Sequence, residues 1–335
     1  MRPIQTTILI FTLMILTLIS CQHDTDTFDG PALVDRFGDF SFLDNFSSSR
    51  SSVDFAAGET VVFTARFNKR VNFVVRITGT ESGAVREITG FDSELNASNA
   101  TWNGGTSLLP FFREEMCTAE LLVPEEETDV QTLDIEVTGR KVYEGRLVTG
   151  FEQPPLNHIE LGNFEFEFSN NTGRRNDGNA AEGDWYYYLE GTDNVVPNFF
   201  VGMIIIKPSI VGETYFPLPT TSPEDLYFNA FLLHDASPHT IAVIQFMFDS
   251  NNSGAFEDGQ DAAFQISGDY PLNWQGWRHI NHSMSELGMT EAQVSKIVAI
   301  RVLLISNRNT QPNPPLPVNF GIDFLTFTAG APLAL

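Results

Sequence analysis

The chain has 335 residues, with 19 Lys plus Arg against 43 Asp plus Glu and a formal net charge of −24 at pH 7. A field of that sign repels nucleic acid and anionic membrane surfaces and disfavours strongly acidic polymers, so none of these is an expected partner. Hydrophobic residues make up 42%, including 29 Phe, which excludes a disordered chain and leaves enough apolar side chains for two domain cores.

At the N-terminus, Arg2 is followed by a run from Ile8 to Ile19 that is apolar apart from two threonines. Its 12 residues are too few for a bilayer core, which takes ~20, but they suit the core of a cleavable signal. Leu18-Ile19-Ser20-Cys21 resembles a lipobox, in which a cysteine behind a small residue receives the lipid. The resemblance implies a signal peptide over 1–20, lipidation of Cys21, and anchorage by buried methylenes worth ~0.8 kcal/mol each. Gln22-His23-Asp24-Thr25-Asp26 is similar to the acidic export signals that carry lipoproteins to the outer face of the outer membrane in glycan-foraging Gram-negative bacteria. Acidic solvated linkers have the same composition. Residues 21–36 read as a lipidated tether. With Cys21 lipidated, Cys117 has no disulfide partner and reads as a small buried hydrophobe.

From 37 to 149, short alternating runs predict strands: ETVVFTARF, VNFVVRITG, AVREITG, TAELLVP and TLDIEVTG. Asn68-Lys69 and Glu81-Ser82-Gly83 are the expected turns between them. The pattern resembles an immunoglobulin-like module of the PKD type. Trp102-Asn103-Gly104-Gly105 is expected to pack or cap that sandwich, with the indole in the core.

From 150 to 330 the expected strands are longer and more aromatic: FEFEF, DWYYYLEG, FFVGMIII, LYFNAFLLH, IAVIQFMF, AAFQIS, KIVAIRVLLIS and VNFGIDFLTF. Eight strands fit a two-sheet jelly roll. Ser283 to Lys296 is the one helix candidate. GDWYYYLEG, FDSNNSGAFEDGQD, NWQGWRHINHSMSEL and FGIDFLTF occur in the order seen in galactose-binding-like jelly rolls, which include many carbohydrate-binding modules. Together with the lipobox, the chain resembles a surface glycan-binding lipoprotein of a polysaccharide-utilisation system. The expected class is all-β: an Ig-like sandwich followed by a jelly roll.

Two calcium sites are candidates. Asp249, Asn251 and Ser253 alternate before Gly254, as hard oxygen ligands do in a calcium loop, but Gln260 stands where a bidentate acid belongs. Asp261 or Asp258 would have to replace it, and a plain Asn/Gly hairpin turn fits equally. The family resemblance implies a second, structural calcium between Glu152, the NDGN loop (Asn176, Asp177, Asn179) and Asp323; alternatively Asp323 caps a strand end.

Sugar recognition needs aromatic faces and directional hydrogen bonds. Asn229, Gln245 and Arg301 are single polar residues in otherwise apolar strands, so they either satisfy one another or line a ligand face. In DWYYYLEG, Trp185 and Tyr187 point one way and Tyr186 and Tyr188 the other, so one pair must leave the core. Trp185, Tyr187, Tyr215 and Trp274 are the chosen platforms, with Phe216 and Tyr270 as further candidates; Trp277 resembles the family's buried tryptophan. Core packing is the competing role for each ring.

No nucleophile, zinc or nucleotide fingerprint is present. His279 and His282 lack an acidic third ligand nearby, and Glu165 and Glu167 suit a solvated strand face. QTLDIEV resembles the acid run of jelly-roll glucanases, but Thr132 replaces the nucleophile beside Asp134 and Glu136. The expected function is non-catalytic capture of a polysaccharide, neutral by the charge argument, for neighbouring enzymes and a surface transporter. A lyase or glycosidase, and an adhesive surface protein, stay open as alternatives.

Overall fold

The computed structural model describes residues 38–126, 128–152, 164–167, 171–192, 199–235, 240–266, 270–306 and 317–335. The signal run, Cys21 and the tether lie outside the described residues. Among the described residues the chain is almost entirely β, and no helix is long and apolar enough to cross a membrane.

The first sandwich contains β1 (Phe42–Ser48), β2 (Ser52–Asp54), β3 (Val61–Gly79), β4 (Val85–Leu95), β5 (Thr101–Trp102), β6 (Met116–Leu122) and β7 (Gln131–Gly139). The order is β1-β3-β6-β7-β2, with β4 and β5 also on β3, and β2 runs parallel to β7. The expected turn at Asn68-Lys69 is not there. β3 passes straight through it for 19 residues, with a register shift against β4 between Arg66 and Val71. The polar pair bonds to neighbours instead of closing a hairpin: Asn68 donates to the Asp39 carbonyl at 2.8 Å, and Lys69 pairs with Glu126 at 2.6 Å.

The Glu81-Ser82-Gly83 turn does form. The buried Glu115 carboxylate accepts the Glu81 and Ser82 N–H groups at 2.6 and 2.9 Å and the Arg113 N–H at 3.0 Å. Burial raises its pKa, but the bonds from Arg113, Ser82 and Glu81 outweigh that and hold it below the usual range. Trp102 is a core residue, between Phe55 and Phe112 at centroid distances of 4.7 and 4.8 Å. Cys117 is buried, and burial together with the Glu115 charge pushes its thiol up to about 12.

The second sandwich starts at β8 (Arg146–Thr149), four residues before the expected boundary at 150. Its front sheet joins β9 (Phe164–Glu167), β12 (Phe199–Ile206), β14 (Thr240–Phe248), β15 (Ala262–Gln265), β16 (Tyr270–Pro271) and β18 (Ile297–Ser306). The strands run β15-β14-β18-β12-β9, with β16 also on β14. The back sheet joins β10 (Asn171–Arg175), β11 (Tyr186–Thr192), β13 (Leu226–Asp235), β17 (Gln275–Ser283) and β19 (Pro317–Ala329). Its order is β10-β11-β19-β13-β17, with β8 also on β19.

Ile204, Ile244, Phe246, Ile300 and Val302 from the front meet Tyr187, Leu189, Phe228, Leu232 and Ile322 from the back in one core. The period-two geometry of a strand then turns Met203, Ile205, Gln245, Met247, Ala299 and Arg301 outward on the front face. The helix expected over 283–296 is two short pieces, a 3-10 turn at Met284–Leu287 and a helix at Glu291–Val294. Gly288, with φ at 70°, separates them.

The two sandwiches meet through Phe111, whose ring stacks on Tyr143 at 4.0 Å and meets Phe231 and Phe324 edge-on at 5.1 and 5.7 Å. Leu333 of the C-terminal segment belongs to the same cluster. Polar ties flank it: Phe111 N–H donates to the Ala181 carbonyl at 2.8 Å, and Arg140 lies 3.5 Å from Glu182.

Candidate functional site

The outward front face holds a cleft of about 590 Å³. Its floor is Ile205, Met247 and Ala299, which form a separate apolar cluster with Met203 and Phe256. Arg301 on β18 and Gln245 on β14 face each other in the ladder. Arg301 Nε donates to Gln245 Oε1 at 2.7 Å, and Gln245 Nε2 donates to Gln265 Oε1 at 3.2 Å. These bonds fix the guanidinium plane beside the apolar floor, and its terminal nitrogens make no hydrogen bond among the described residues. Lys207 and Glu213 stand on one wall, and Gly254, Phe256 and Asp258 on the other.

The second wall is the expected calcium loop. Asp249 closes it: Oδ1 accepts the Asn251 and Ser253 N–H groups, both at 3.1 Å, and Oδ2 accepts Gly254 N–H at 2.8 Å. Oδ2 also accepts the Tyr215 hydroxyl at 2.8 Å, which ties the two walls together. Burial raises the Asp249 pKa, but the bonds from Gly254, Tyr215, Ser253 and Asn251 override it and hold the carboxyl at about 2. Asp261 likewise accepts Ser250 N–H and Glu257 N–H, each at 2.8 Å. Asn251 Oδ1 accepts Ser253 N–H at 2.9 Å. The oxygens proposed as calcium ligands at Asp249, Asn251 and Asp261 are thus engaged with N–H donors, as in a hydrogen-bonded turn. Tyr215 serves the wall through its hydroxyl.

Several expected sugar contacts lie elsewhere. Tyr187 is in the inter-sheet core at 1% exposure, 5.6 Å from Phe151, so its ring cannot meet a ligand. The pair that leaves the core is Tyr186 and Tyr188. Trp185 is half-buried, packed against the core, with the Arg174 guanidinium 4.5 Å from its ring. Trp274 is a core residue rather than a platform: its Nε1 donates to the Gly276 carbonyl at 3.1 Å and Arg278 covers its ring. Trp277 is the less buried of the two, at the sandwich junction, donating to the Asn179 carbonyl at 2.7 Å.

Asn229 is fully buried and internally satisfied, so it has a structural role. Its amide donates to Thr328 Oγ1 at 3.0 Å, and its Oδ1 accepts Leu333 N–H at 2.9 Å, fastening the C-terminal segment. His279 Nε2 lies 3.0 Å from the same oxygen; burial lowers its pKa to about 4, so the neutral ring is the donor at pH 7. His282 pairs separately with Glu286 at 2.8 Å. Thr132, Asp134 and Glu136 are exposed on the first sandwich. In the backbone ladder, Glu165 and Glu167 oppose Ile205 and Met203.

Of the second calcium set, Asp323 and Glu152 lie close enough for their charges to interact, and Glu182 joins them. Asp177 instead accepts the Tyr186 hydroxyl at 3.1 Å, and Asn179 contributes its N–H to the Asp177 carboxylate at 3.1 Å. Asp323 is fully buried; its Oδ2 accepts Ala181 and Glu182 N–H, both at 3.0 Å. Glu152 Oε1 accepts Asp184 and Trp185 N–H at 2.8 and 2.7 Å. Burial, opposed by the N–H bonds and reinforced by neighbouring carboxylates, raises Asp323 well above its ordinary value. Burial raises Glu182 to about 7, with Arg140 opposing and Glu152 and Asp184 adding to it. Among the described residues, no three His, Cys, Asp or Glu side chains converge with the geometry of a metal site. What the junction does hold is a group of carboxyls, Glu152, Glu182 and Asp323, whose burial and mutual repulsion favour the protonated form. Glu182 sits in a loop without periodicity, and no sequence motif singles it out.

No protein-family model matches the sequence, and no curated protein does. Among solved structures, the chain is similar to a carbohydrate-binding module of the β-sandwich superfamily described for promiscuous specificity. That match has 12% identity over 86% of this chain and 98% of the other, with a TM-score of 0.35. It is similar to SGBP-B from a complex xyloglucan utilization locus in Bacteroides uniformis, at 12% identity over 87% and 73%, TM-score 0.37. The family 11 carbohydrate-binding module from Clostridium thermocellum, in complex with a β-1,3-1,4-mixed-linked tetrasaccharide, has 14% identity over 57% and 97%, TM-score 0.33. All three TM-scores lie below 0.5, and neither the fold nor the ligand of this chain follows from them.

Proposed function

We propose that the front-face cleft holds a stretch of polysaccharide without cutting it. The observation that carries this reading is the fixed Arg301–Gln245–Gln265 run beside the apolar floor of Ile205, Met247 and Ala299. A pyranose offers the same pairing, an apolar C–H face edged by hydroxyls. The net charge of −24 favours a neutral glycan. A shallow site of this kind binds in the micromolar to millimolar range, about −8 to −4 kcal/mol.

Affinity electrophoresis through gels containing neutral polysaccharides tests the binding. Wild type is retarded by at least one, and Arg301→Ala is retarded less; equal retardation of the two, or none for wild type on any glycan, overturns the reading. The enzyme alternative has a specific handle, because Glu213 and Asp258 are the two acids that line the cleft. New reducing ends released by wild type and abolished in Glu213→Gln or Asp258→Asn would replace capture by hydrolysis.

The lipobox-like run supports display from the outer membrane through lipid at Cys21, beside a transporter and glycan-degrading enzymes. Radiolabelled palmitate entering wild type but not Cys21→Ala tests the anchor; label in neither removes it. A structural calcium at the junction completes the proposal. Its support is the proximity of Glu152 and Asp323, two of the carboxylates the family resemblance implies, whose charges interact; carbonyls and water would complete a calcium shell around them.

A further inference from the structure

The back sheet carries a cleft of its own on its outward face, about 370 Å³, away from the front cleft across the full thickness of the sandwich. We propose that it is a second neutral-saccharide site, so that one jelly roll takes hold of two glycan segments. This rests on the reading of the chain as a glycan binder for its ligand class, but not on the front cleft itself.

The argument starts from Tyr188. Its cross-strand neighbours are glycines on both sides, Gly173 on β10 and Gly321 on β19. Neither glycine places a side chain beside the ring, but the two sides differ: at Gly321 the position is filled, an added Cβ meeting Leu233 Cβ at 2.9 Å and Tyr186 Cδ2 at 3.1 Å, so the hollow opens on the β10 side alone. At Gly173 an added Cβ would meet nothing closer than Tyr188 Cε1 at 3.8 Å, so the space is real. The Arg175 guanidinium lies 3.7 Å from the ring centroid, held by Glu190 at 2.6 Å. That pairing lays the guanidinium over one face of the ring, as Arg278 does at Trp274, so a sugar would have to meet the ring from its other side.

Polar side chains then come from the other strands. Asn319 on β19 donates to Asp235 Oδ2 on β13 at 3.1 Å, and Gln275 on β17 opposes Asp235 in the ladder. Planar amides and carboxylates arranged beside an aromatic ring suit a sugar's hydroxyls and its C–H face. Asp177, Glu190 and Asp235 against Arg175 leave this cleft net negative, which disfavours an acidic sugar and favours a neutral one. Two sites on opposite faces of one domain also raise avidity for an insoluble glycan without tightening either site.

Calorimetric titration of the full chain, with Cys21→Ser for solubility, tests this with cellohexaose, xylohexaose, laminarihexaose and mannohexaose. The expected result is two molecules bound per chain for at least one of them. Tyr188→Ala leaves one, weakening the other at least about tenfold, and Arg301→Ala leaves the complementary one. Asn319→Ala, a milder change, repeats the Tyr188 result while the melting temperature stays at the wild-type value. One molecule bound, lost with Arg301→Ala and untouched by Tyr188→Ala and Asn319→Ala, overturns the second site and leaves the front cleft standing. One molecule lost only with Tyr188→Ala and Asn319→Ala upholds the second site and removes the front cleft. Binding of none of the four overturns both.

Discussion

Asp249 and Asp323 are both carboxylates without solvent exposure, and their protonation is displaced in opposite directions. Asp249 receives four donors, three backbone N–H groups and the Tyr215 hydroxyl, and stays ionised down to about pH 2. Asp323 receives N–H bonds too, but Glu182 and Glu152 add repulsion to its burial. The difference teaches that a buried acid is stabilised by the balance of donors against neighbouring charge, and that its depth alone says little. The loop of Asp249 is a self-sufficient wall; the junction of Asp323 is a place where burial and neighbouring carboxylates favour keeping the proton on.

The largest expected effect breaks the comparison at Glu182. A carboxyl at about 7 when folded and about 4.5 when unfolded holds its proton more tightly in the folded chain. Its contribution is fully present below about pH 4.5 and is lost as the pH rises through 7. In EDTA, wild type is therefore less stable at pH 8 than the Glu182→Gln variant, by on the order of 3 kcal/mol, and chemical denaturation at pH 8 measures it. Calcium is the next test. At a hundred times its Kd it stabilises wild type by about 2.7 kcal/mol and flattens that pH dependence, whereas an unchanged melting temperature removes calcium from the junction.

Glu115 sharpens the other side of the comparison, since it is donor-rich like Asp249. Glu115→Ala strands the Glu81, Ser82 and Arg113 N–H groups and costs about 2 kcal/mol by urea denaturation. The smallest effect is at Asp249 itself. Its pKa is lowered on folding, so its stabilisation is present above about pH 3.8 and is lost as the pH falls towards 2. Asp249→Asn flattens that acid limb in melts from pH 5 to pH 2 and, by loosening the cleft wall, weakens glycan binding by about tenfold or less.

The strands of the second sandwich were mostly legible because apolar runs bounded by Gly, Asn and Pro carry their own signal. β17 carries no strand signal, because QGWRHINHS shows no apolar alternation; in this strand only Ile280 and Ser283 are buried. β3 looks like two strands in sequence because Asn68-Lys69 has turn chemistry locally, while its partners lie 27 to 57 positions away. Gln245 and Arg301 were found by being polar in apolar strands. Asn229 gave the same signal with the opposite outcome. Strand period tells which residues share a face, but not whether that face is open or covered. The outward position of Asn229 on the back sheet is roofed by the C-terminal segment. Glu182 gave no signal, since its role arises only where the two sandwiches meet.

Methyl chemical shifts test the central claim most directly, by titrating a retained neutral oligosaccharide into methyl-labelled protein. Ile205 and Met247, on the floor of the front cleft, are predicted to shift in proportion to occupancy, while Ile204 and Ile300, buried between the sheets, stay still. Bound sugar that leaves the Ile205 and Met247 methyls unmoved would contradict the account.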